Sequence, residues 1–152
     1  MDQSMSKAEL LRHLQDVLSR KVRAAQQEIA STRASFASDT KSSAGDKHEV
    51  ERAMVQQELD KLEEQCAKLI TLQKELERVP LERDFARVAF GSLVETDHGI
   101  YFLAIGLGRV EFERATCYAI SLLSPIGALL QGKRVGEHIF FNGRNITVQR
   151  IT

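Results

Sequence analysis

The chain has 152 residues and a mass of 17.1 kDa, which is enough for one ordinary domain or two small ones. It carries 21 Lys and Arg against 21 Asp and Glu, so no net charge draws it onto nucleic acid or an anionic membrane. It contains no apolar run long enough to span a bilayer, no signal peptide is visible at its start, and two cysteines favour a reducing compartment. We therefore expect a globular, cytoplasmic protein whose charge-driven contacts are local.

Composition divides the chain near residue 80. Residues 1–79 contain one glycine, Gly45, and no proline, whereas residues 80–152 contain both prolines, the other glycines and both tyrosines. The first part is therefore predicted to be helical and the second to be rich in β-strands. The junction is expected at Pro80, because the residue before a proline is biased away from helix. We expect two domains with these bounds.

Apolar residues in the first part recur at helical spacing in two stretches. The first stretch follows a Ser6–Glu9 capping box, and residues 38–45 between the stretches are small and polar, as in a turn. The apolar residues are Leu11, Leu14, Leu18, Val22, Ala25, Ile29 and Phe36 in the first stretch, and Val55, Leu59, Leu62, Cys66, Leu69 and Leu76 in the second. Neither helix can bury its stripe alone. We expect an antiparallel helical hairpin, or coiled coil, and dimerisation through the same seam is the alternative.

Strand candidates in the second part are separated by turn signals. Asn142-Gly143 is typical of a two-residue hairpin turn, and Ser124-Pro125 predicts a short helix that ends before Gly132. The predicted strands are residues 87–95, 99–107, 115–121, 137–141 and 145–151. This part is therefore predicted to be a small antiparallel β-sheet with one short helix, and the chain to be α+β.

The sequence contains no glycine-rich phosphate loop, no CxxC pair and no HExxH motif, so it predicts no catalytic site. The enzymatic alternative pairs Cys117 with His98 or His138 as its base, but Cys117 lies in an apolar strand, which favours a packed cysteine. Cys66 lies in the helical seam, where packing is again favoured. His48 is near acidic residues, and a solvated polar turn is favoured there over a weak divalent-cation site.

Three stretches of the chain resemble the Gre family of bacterial transcript cleavage factors. Residues 120–137, ISLLSPIGALLQGKRVGE, resemble the family's Ser-Pro-Ile block, and residues 90–94 resemble the opening strand of its C-terminal domain. Residues 39–44 are similar to the motif at the tip of the family's N-terminal hairpin. The resemblance is most specific in the Ser-Pro-Ile block. It implies that the C-terminal domain is FKBP-like.

The resemblance also implies a partner, RNA polymerase. The C-terminal domain would dock at the rim of the secondary channel, with Ser124 and Pro125 in the docking loop, and the hairpin would enter the channel. The tip would contact the nascent RNA 3′ end indirectly and lend carboxylates to the second Mg²⁺ of the polymerase, which itself hydrolyses the backtracked RNA. The factor would be a monomer, with no membrane contact, no catalytic residue and no stably bound metal of its own.

The tip departs from the family pattern at one acid. Asp39 matches the first acid of the family, whereas Ser42 stands at the second and carries no negative charge. Asp46 and Glu49 are the nearest other carboxylates, so the predicted metal-directed residues are Asp39, Asp46 and Glu49. Lys41 and Ser42 are the other polar tip residues considered. The protein is then either a cleavage factor with a rearranged acidic tip or a regulator or inhibitor that occupies the channel without cleavage.

A peptidyl-prolyl isomerase is the least favoured alternative. Isomerases with an FKBP-like fold use an apolar pocket lined by aromatic side chains. The sequence offers Phe90, Tyr101, Phe102 and Phe112 for such a pocket, but it contains no Trp.

Overall fold

The computed structural model describes residues 6–39 and 46–152, without the side chains of residues 38, 39 and 46–48. The chain forms two compact units. Gln15–Gln73 form one, here called the hairpin unit, and Lys74–Thr152 form the other, the sheet unit, together with the start of the chain up to Leu14. The predicted α+β class is confirmed. The division between the units falls within both long helices, whereas the composition of the chain changes near residue 80.

Two long helices, α1 (Lys7–Asp39) and α2 (Asp46–Glu77), supply the hairpin unit. Their apolar stripes pack against each other around Val22, Ile29, Leu59, Leu62 and Cys66, with Ala25, Val55, Leu69 and Ile70 at the margin. Ser19 accepts a hydrogen bond of 3.4 Å from Gln73, and Arg33 pairs with Glu63 across the seam. The partner on α2 moves back from Gln73 to Glu63 as the residue on α1 advances from Ser19 to Arg33, so the helices are antiparallel, as predicted.

Capping explains where α1 begins. The backbone N–H of Glu9 donates to Ser6 Oγ at 3.4 Å, which satisfies one of the free donors of the first turn. The Ser6 cap was expected from the capping box. No helix in the described part of the chain is long and apolar enough to cross a membrane.

The sheet unit contains six strands and one short helix. The strands are β1 (Leu93–Thr96), β2 (Gly99–Leu103), β3 (Gly108–Phe112), β4 (Ala115–Ile120), β5 (His138–Phe141) and β6 (Arg144–Ile151), and the helix is α3 (Pro125–Leu130). The strands form one sheet in the order β3-β4-β2-β1-β6-β5. Asn142 and Gly143 both have positive φ between β5 and β6, which confirms the predicted two-residue turn.

One strand pair departs from the predicted antiparallel sheet. Strands β2 and β4 are parallel, with Ile100 beside Cys117 and Leu103 beside Ile120. The chain leaves β2, crosses to the edge strand β3 and returns antiparallel to it as β4, which therefore lies between β2 and β3. Ile105, predicted to be part of a strand, instead lies fully buried in this crossover.

Strand β3 was not predicted, because its turn carries no recognisable signal. Glu113 and Arg114 join β3 to β4 with φ values of 47° and 65°. Both values are in the left-handed region, where Asn and Gly are the usual residues. Because Glu and Arg occupy these positions instead, the sequence did not predict the hairpin of β3 and β4.

The predicted strand at residues 87–95 is shorter in the structure, where β1 begins only at Leu93. Gly91 interrupts the extended chain with a φ of +88°, and an added Cβ there would lie 2.7 Å from Pro80 Cδ. Val88 is hydrogen-bonded to the segment after α3 rather than to a neighbouring strand. Close packing against Pro80 thus requires glycine at this position, and the strand begins only after it.

The core of the sheet unit excludes water almost completely. Its buried residues are Val88, Val94, Leu103, Leu130, Ile139, Ile146 and Val148, none more than 4% exposed. Leu10 and Leu14 of α1 and Leu76 of α2 belong to the same unit and have no exposed surface. The helix ends therefore contribute buried side chains to the unit that contains the sheet.

Candidate functional site

The predicted tip lies at one end of the hairpin unit. Because α1 and α2 are antiparallel, the end of α1 at Asp39 and the start of α2 at Asp46 share that end. Lys41 and Ser42 lie outside the described residues, as do the side chains of Asp39, Asp46 and His48. The structure describes Glu49, which is exposed on the first turn of α2.

The described residues just beyond the tip carry exposed apolar side chains. Val50 is 61% exposed and Met54 is 64% exposed on α2, one helical turn apart. Val55 next to them packs into the seam instead. The outer face of α2 near the tip is therefore partly apolar, which the predicted stripes did not indicate.

The predicted docking residues Ser124 and Pro125 begin α3. Ser124 Oγ accepts from the Gly127 N–H at 3.1 Å and donates to the Ser121 carbonyl at 2.6 Å. Pro125 occupies the first helical turn, where a missing N–H costs nothing. The capping role predicted for these residues is confirmed. We refer to residues 121–127 as the docking loop, after the docking role predicted for Ser124 and Pro125.

Gly127 permits the close path of this loop. A Cβ at Gly127 would lie 2.1 Å from the Ser121 carbonyl oxygen and 2.8 Å from Ser124 Oγ. Both distances are too short for non-bonded atoms, so any other residue would push the helix away from the loop. The docking loop is therefore held by its own hydrogen bonds and by a position that only glycine fits.

Leu123 is the most exposed large apolar side chain among the described residues, at 95%. Its backbone N–H donates to Ser121 Oγ at 3.1 Å, and the Ser124 N–H donates to the Ser121 carbonyl at 3.1 Å. These bonds fix the backbone on both sides of Leu123. Sequence analysis overlooked this residue; its signal was an apolar side chain directly before a helix cap, where the helix cannot bury it.

A groove of about 500 Å³ is lined in part by two residues of the docking loop, Ser121 and Leu122. Phe90, Ala104 and Leu122 provide apolar lining, and Glu75 and Arg78 provide charges of opposite sign. No salt bridge in the described residues involves either Glu75 or Arg78. A groove of mixed polar and apolar lining, with two charges that form no salt bridge among the described residues and a projecting leucine beside it, is suited to protein recognition.

The cysteine nucleophile of the enzymatic alternative has no supporting geometry. Cys117 is fully buried, and burial raises the pKa of its thiol to about 12. His98 lies in the β1–β2 turn, with Nε2 3.9 Å from Asp97, and His138 is exposed on β5. No hydrogen bond in the described residues joins Cys117 to either histidine. Cys117 therefore stays protonated at neutral pH and has no adjacent base.

The aromatic side chains considered for an isomerase pocket are dispersed. Phe90 lines the groove beside the docking loop, and Phe112 packs against His13 with ring centroids 5.2 Å apart. Phe102 is fully buried, whereas Tyr101 points to the opposite face of β2 and stacks on Tyr118. They do not converge on one pocket.

No group of three potential metal ligands occurs among the described side chains. Glu49 is the one tip carboxylate with a described side chain, and its exposure is compatible with lending a ligand to an ion held by another protein. Comparison of the chain with protein-family models, curated proteins and solved structures gives no match. The functional argument therefore rests on the residues of this chain and their geometry.

Proposed function

We propose that this protein is a cytoplasmic Gre-type factor that enters the secondary channel of bacterial RNA polymerase and stimulates cleavage of backtracked RNA. The observation that carries the proposal is the antiparallel hairpin, which brings Asp39, Asp46 and Glu49 to one end. Helices of 33 and 32 residues are each roughly 50 Å long at 1.5 Å per residue. The FKBP-like description of the sheet unit is part of the same proposal.

The proposed factor acts on the active site of the polymerase and has none of its own. Two-metal hydrolysis of a phosphodiester needs a second Mg²⁺, which binds oxygen ligands and retains several waters. Asp39 and Asp46, with Glu49 as a third candidate, would supply carboxylate ligands to that ion. Lys41 would steady phosphate or carboxylate groups nearby. A chain without net charge can do this, because only the tip must be acidic.

Docking is assigned to the sheet unit. Ser124 and Pro125 shape the docking loop, and Leu123 offers an apolar side chain that would be buried on binding. Because hydrogen bonds already hold the backbone on both sides of Leu123, little backbone entropy is lost when this side chain is buried. Leu123 is therefore expected to supply more affinity than the other exposed residues of the loop.

Transcript cleavage in a stalled, backtracked elongation complex tests the proposal. We expect wild type to shorten the RNA, and Asp39→Ala and Asp46→Ala to bind the polymerase but lose this activity. Glu64→Ala is the matched control, because Glu64 is an exposed acid of α2 outside the tip. Equal activity in all four proteins would contradict the assignment of the tip acids.

A second function is favoured by Ser42, which replaces an acid of the family pattern. In this case the protein occupies the channel and regulates or inhibits the polymerase without cleavage. Wild type would bind the polymerase and leave the RNA intact, and Ser42→Glu would create or raise cleavage. If Ser42→Glu changes nothing, this alternative fails.

Binding is measured separately from cleavage. Leu123→Asp is expected to weaken binding to the polymerase by about tenfold or more, because a charge would enter an apolar contact. Val135→Asp is the control, since Val135 is 58% exposed in the same unit but lies outside the docking loop. A wild-type chain that does not bind the polymerase would overturn the proposed function as a whole.

A further inference from the structure

A cavity of about 460 Å³ lies in the sheet unit, away from the docking loop. Residues 83–89 form most of its wall, and Gln131 and Gly132, which follow α3, complete it. None of the predicted tip or docking residues lines it. Its volume is typical of sites that bind small molecules.

The wall of the cavity is fixed by hydrogen bonds at one end. The Val88 N–H donates to the Lys133 carbonyl at 2.8 Å, and the Gly132 N–H donates to the Val88 carbonyl at 2.8 Å. Ser92 Oγ also accepts from the Ala89 N–H at 3.1 Å and donates to the Ala89 carbonyl at 2.6 Å. Val88 itself is only 1% exposed. A ligand would therefore enter a cavity that needs little rearrangement.

The charged lining is predominantly positive. Arg83 and Arg87 line the cavity together with one carboxylate, Asp84. None of the three is in a salt bridge within the part of the chain that the structure describes. Both guanidinium groups thus have their hydrogen-bond donors available to a ligand.

Two cationic side chains lie close to the aromatic ring of Phe85, which lines the cavity. Lys7 Nζ lies 4.5 Å from the centroid of the Phe85 ring, and Arg83 Cζ lies 5.1 Å from it. Such contacts are attractive and hold the cations near the ring. Arg83 and Arg87 outnumber Asp84 in the lining, and Lys7, which does not line the cavity and donates to the Thr152 oxygen at 3.3 Å, adds a third cation beside the ring. A local excess of positive charge therefore exists in a chain whose overall charge is zero.

We propose that this cavity binds the phosphate group of a small phosphate ester. A guanidinium group forms two parallel hydrogen bonds with phosphate oxygens, and two such groups lie in one fixed cavity. The site is open to solvent but small, which favours a small molecule over a nucleic-acid strand, because a strand would need an extended positive surface. The site is independent of the tip and of the docking loop, so it stands or fails separately from the proposed function.

The test follows backbone amide signals of the ¹⁵N-labelled full chain by NMR during titration. The probes are inorganic phosphate, adenosine monophosphate and adenosine, which separate recognition of phosphate from recognition of the nucleoside. We expect both phosphate compounds to shift the amides of residues 83–89, 131 and 132 in a saturable way, and adenosine to leave them unchanged. Added salt should weaken the effect.

Matched arginine variants locate the site. Arg87→Gln and Arg83→Gln should each weaken phosphate binding about tenfold, the usual consequence of losing one charge-assisted pair. Arg109→Gln is the control, because Arg109 is an exposed arginine on β3 and does not line the cavity. All three positions are exposed, so the spectrum of each variant should retain the wild-type fold.

Three results would overturn the proposal. The first is that phosphate does not shift the cavity amides. The second is that adenosine shifts them as strongly as adenosine monophosphate does. The third is that Arg109→Gln weakens binding as much as the cavity variants do. The last result would show nonspecific attraction of an anion to surface arginines. Loss of binding in Arg83→Gln and Arg87→Gln alone would support the site.

Discussion

The hairpin unit and the sheet unit bury their apolar residues to different depths. Val22, Ile29 and Leu59 in the hairpin retain 9%, 9% and 7% exposure, whereas Phe102 and Leu103 in the sheet unit retain none. Two helices share a single seam, so most side chains in it keep one edge open to water, although Leu18 at one end of the unit is fully buried. A sheet that is covered on its faces has no such edge for its central residues.

The deeper core and the residues proposed to act on the polymerase therefore belong to different units. The sheet unit has the deeper core and carries the hydrogen-bonded loop that is proposed to dock. The hairpin unit needs only to keep its two helices in register so that Asp39 and Asp46 share one end. A shallow seam is sufficient for that task, because neighbouring contacts such as Ser19 with Gln73 also fix the register.

The largest expected effect is a loss of stability on truncating a leucine in the deeper core. Leu103→Ala should lower the free energy of unfolding by about 3–5 kcal/mol, because it leaves a cavity with no route to solvent. Leu62→Ala, the matched change at a residue 6% exposed in the hairpin, should cost about 2 kcal/mol, because water reaches the site. Urea denaturation of both variants measures the difference.

Hydrogen exchange of the backbone amides shows which unit each of these two variants destabilises. Leu62→Ala should speed exchange in the hairpin unit, and Leu103→Ala should speed it in the sheet unit. Equal losses of stability, or identical exchange patterns, would show that the two units have equally sealed cores and unfold as one.

A smaller loss is expected from Gly127→Ala in the docking loop. The added methyl group would collide with the Ser121 carbonyl and separate Ser124 Oγ from the N–H that it caps. We expect a loss of about 2–3 kcal/mol from strain and the lost cap. The control, Ala128→Gly, changes only helix propensity and should cost about 1 kcal/mol or less. A smaller loss for Gly127→Ala than for Ala128→Gly in thermal unfolding would contradict the packing described at Gly127.

Periodicity and turn chemistry made the long helices, the Ser124 cap and the turn at residues 142–143 predictable. In each case the signal is local, because the residues that form the element are near one another in sequence. The parallel pairing of β2 with β4 was not predictable, because it depends on a crossover between residues distant in sequence. The cavity at residues 83–89 was not predictable for the same reason, because its wall depends on a hydrogen bond between Val88 and Lys133, which are distant in sequence.

The pH dependence of stability tests whether the Cys117 thiol is buried, with Cys66 as the control. Burial raises the pKa of Cys117 from 9.0 to about 12, so folding favours the protonated thiol. This contribution to stability is complete below pH 9 and is lost as the pH rises toward 12, by at most about 1.4 kcal/mol per pH unit. Cys117→Val, which has no proton to lose, should therefore show a flatter decline in urea stability above pH 9 than wild type does.

Cys66→Val is the control for this measurement, because Cys66 lies in the shallower hairpin seam. The pKa of Tyr101 is also raised, chiefly by burial, and this contributes to the decline in every variant. The comparison therefore uses the difference between wild type and each variant. Parallel pH curves for wild type and Cys117→Val would show that the thiol is accessible to solvent.

The smallest effect is expected at the ion pair between Arg33 and Glu63, which joins α1 to α2. Both side chains are about half exposed, so solvent screens their attraction, and a double-mutant cycle with alanine should give only about 0.2–1 kcal/mol. The pair nevertheless reports the register of the hairpin. Arg33→Glu or Glu63→Arg alone places like charges together and should destabilise the hairpin slightly, whereas the double exchange should restore the wild-type stability at low salt. If the double exchange gives only the sum of the two single losses, the helices are not aligned with Arg33 beside Glu63, and the shared end of Asp39 and Asp46 loses its support.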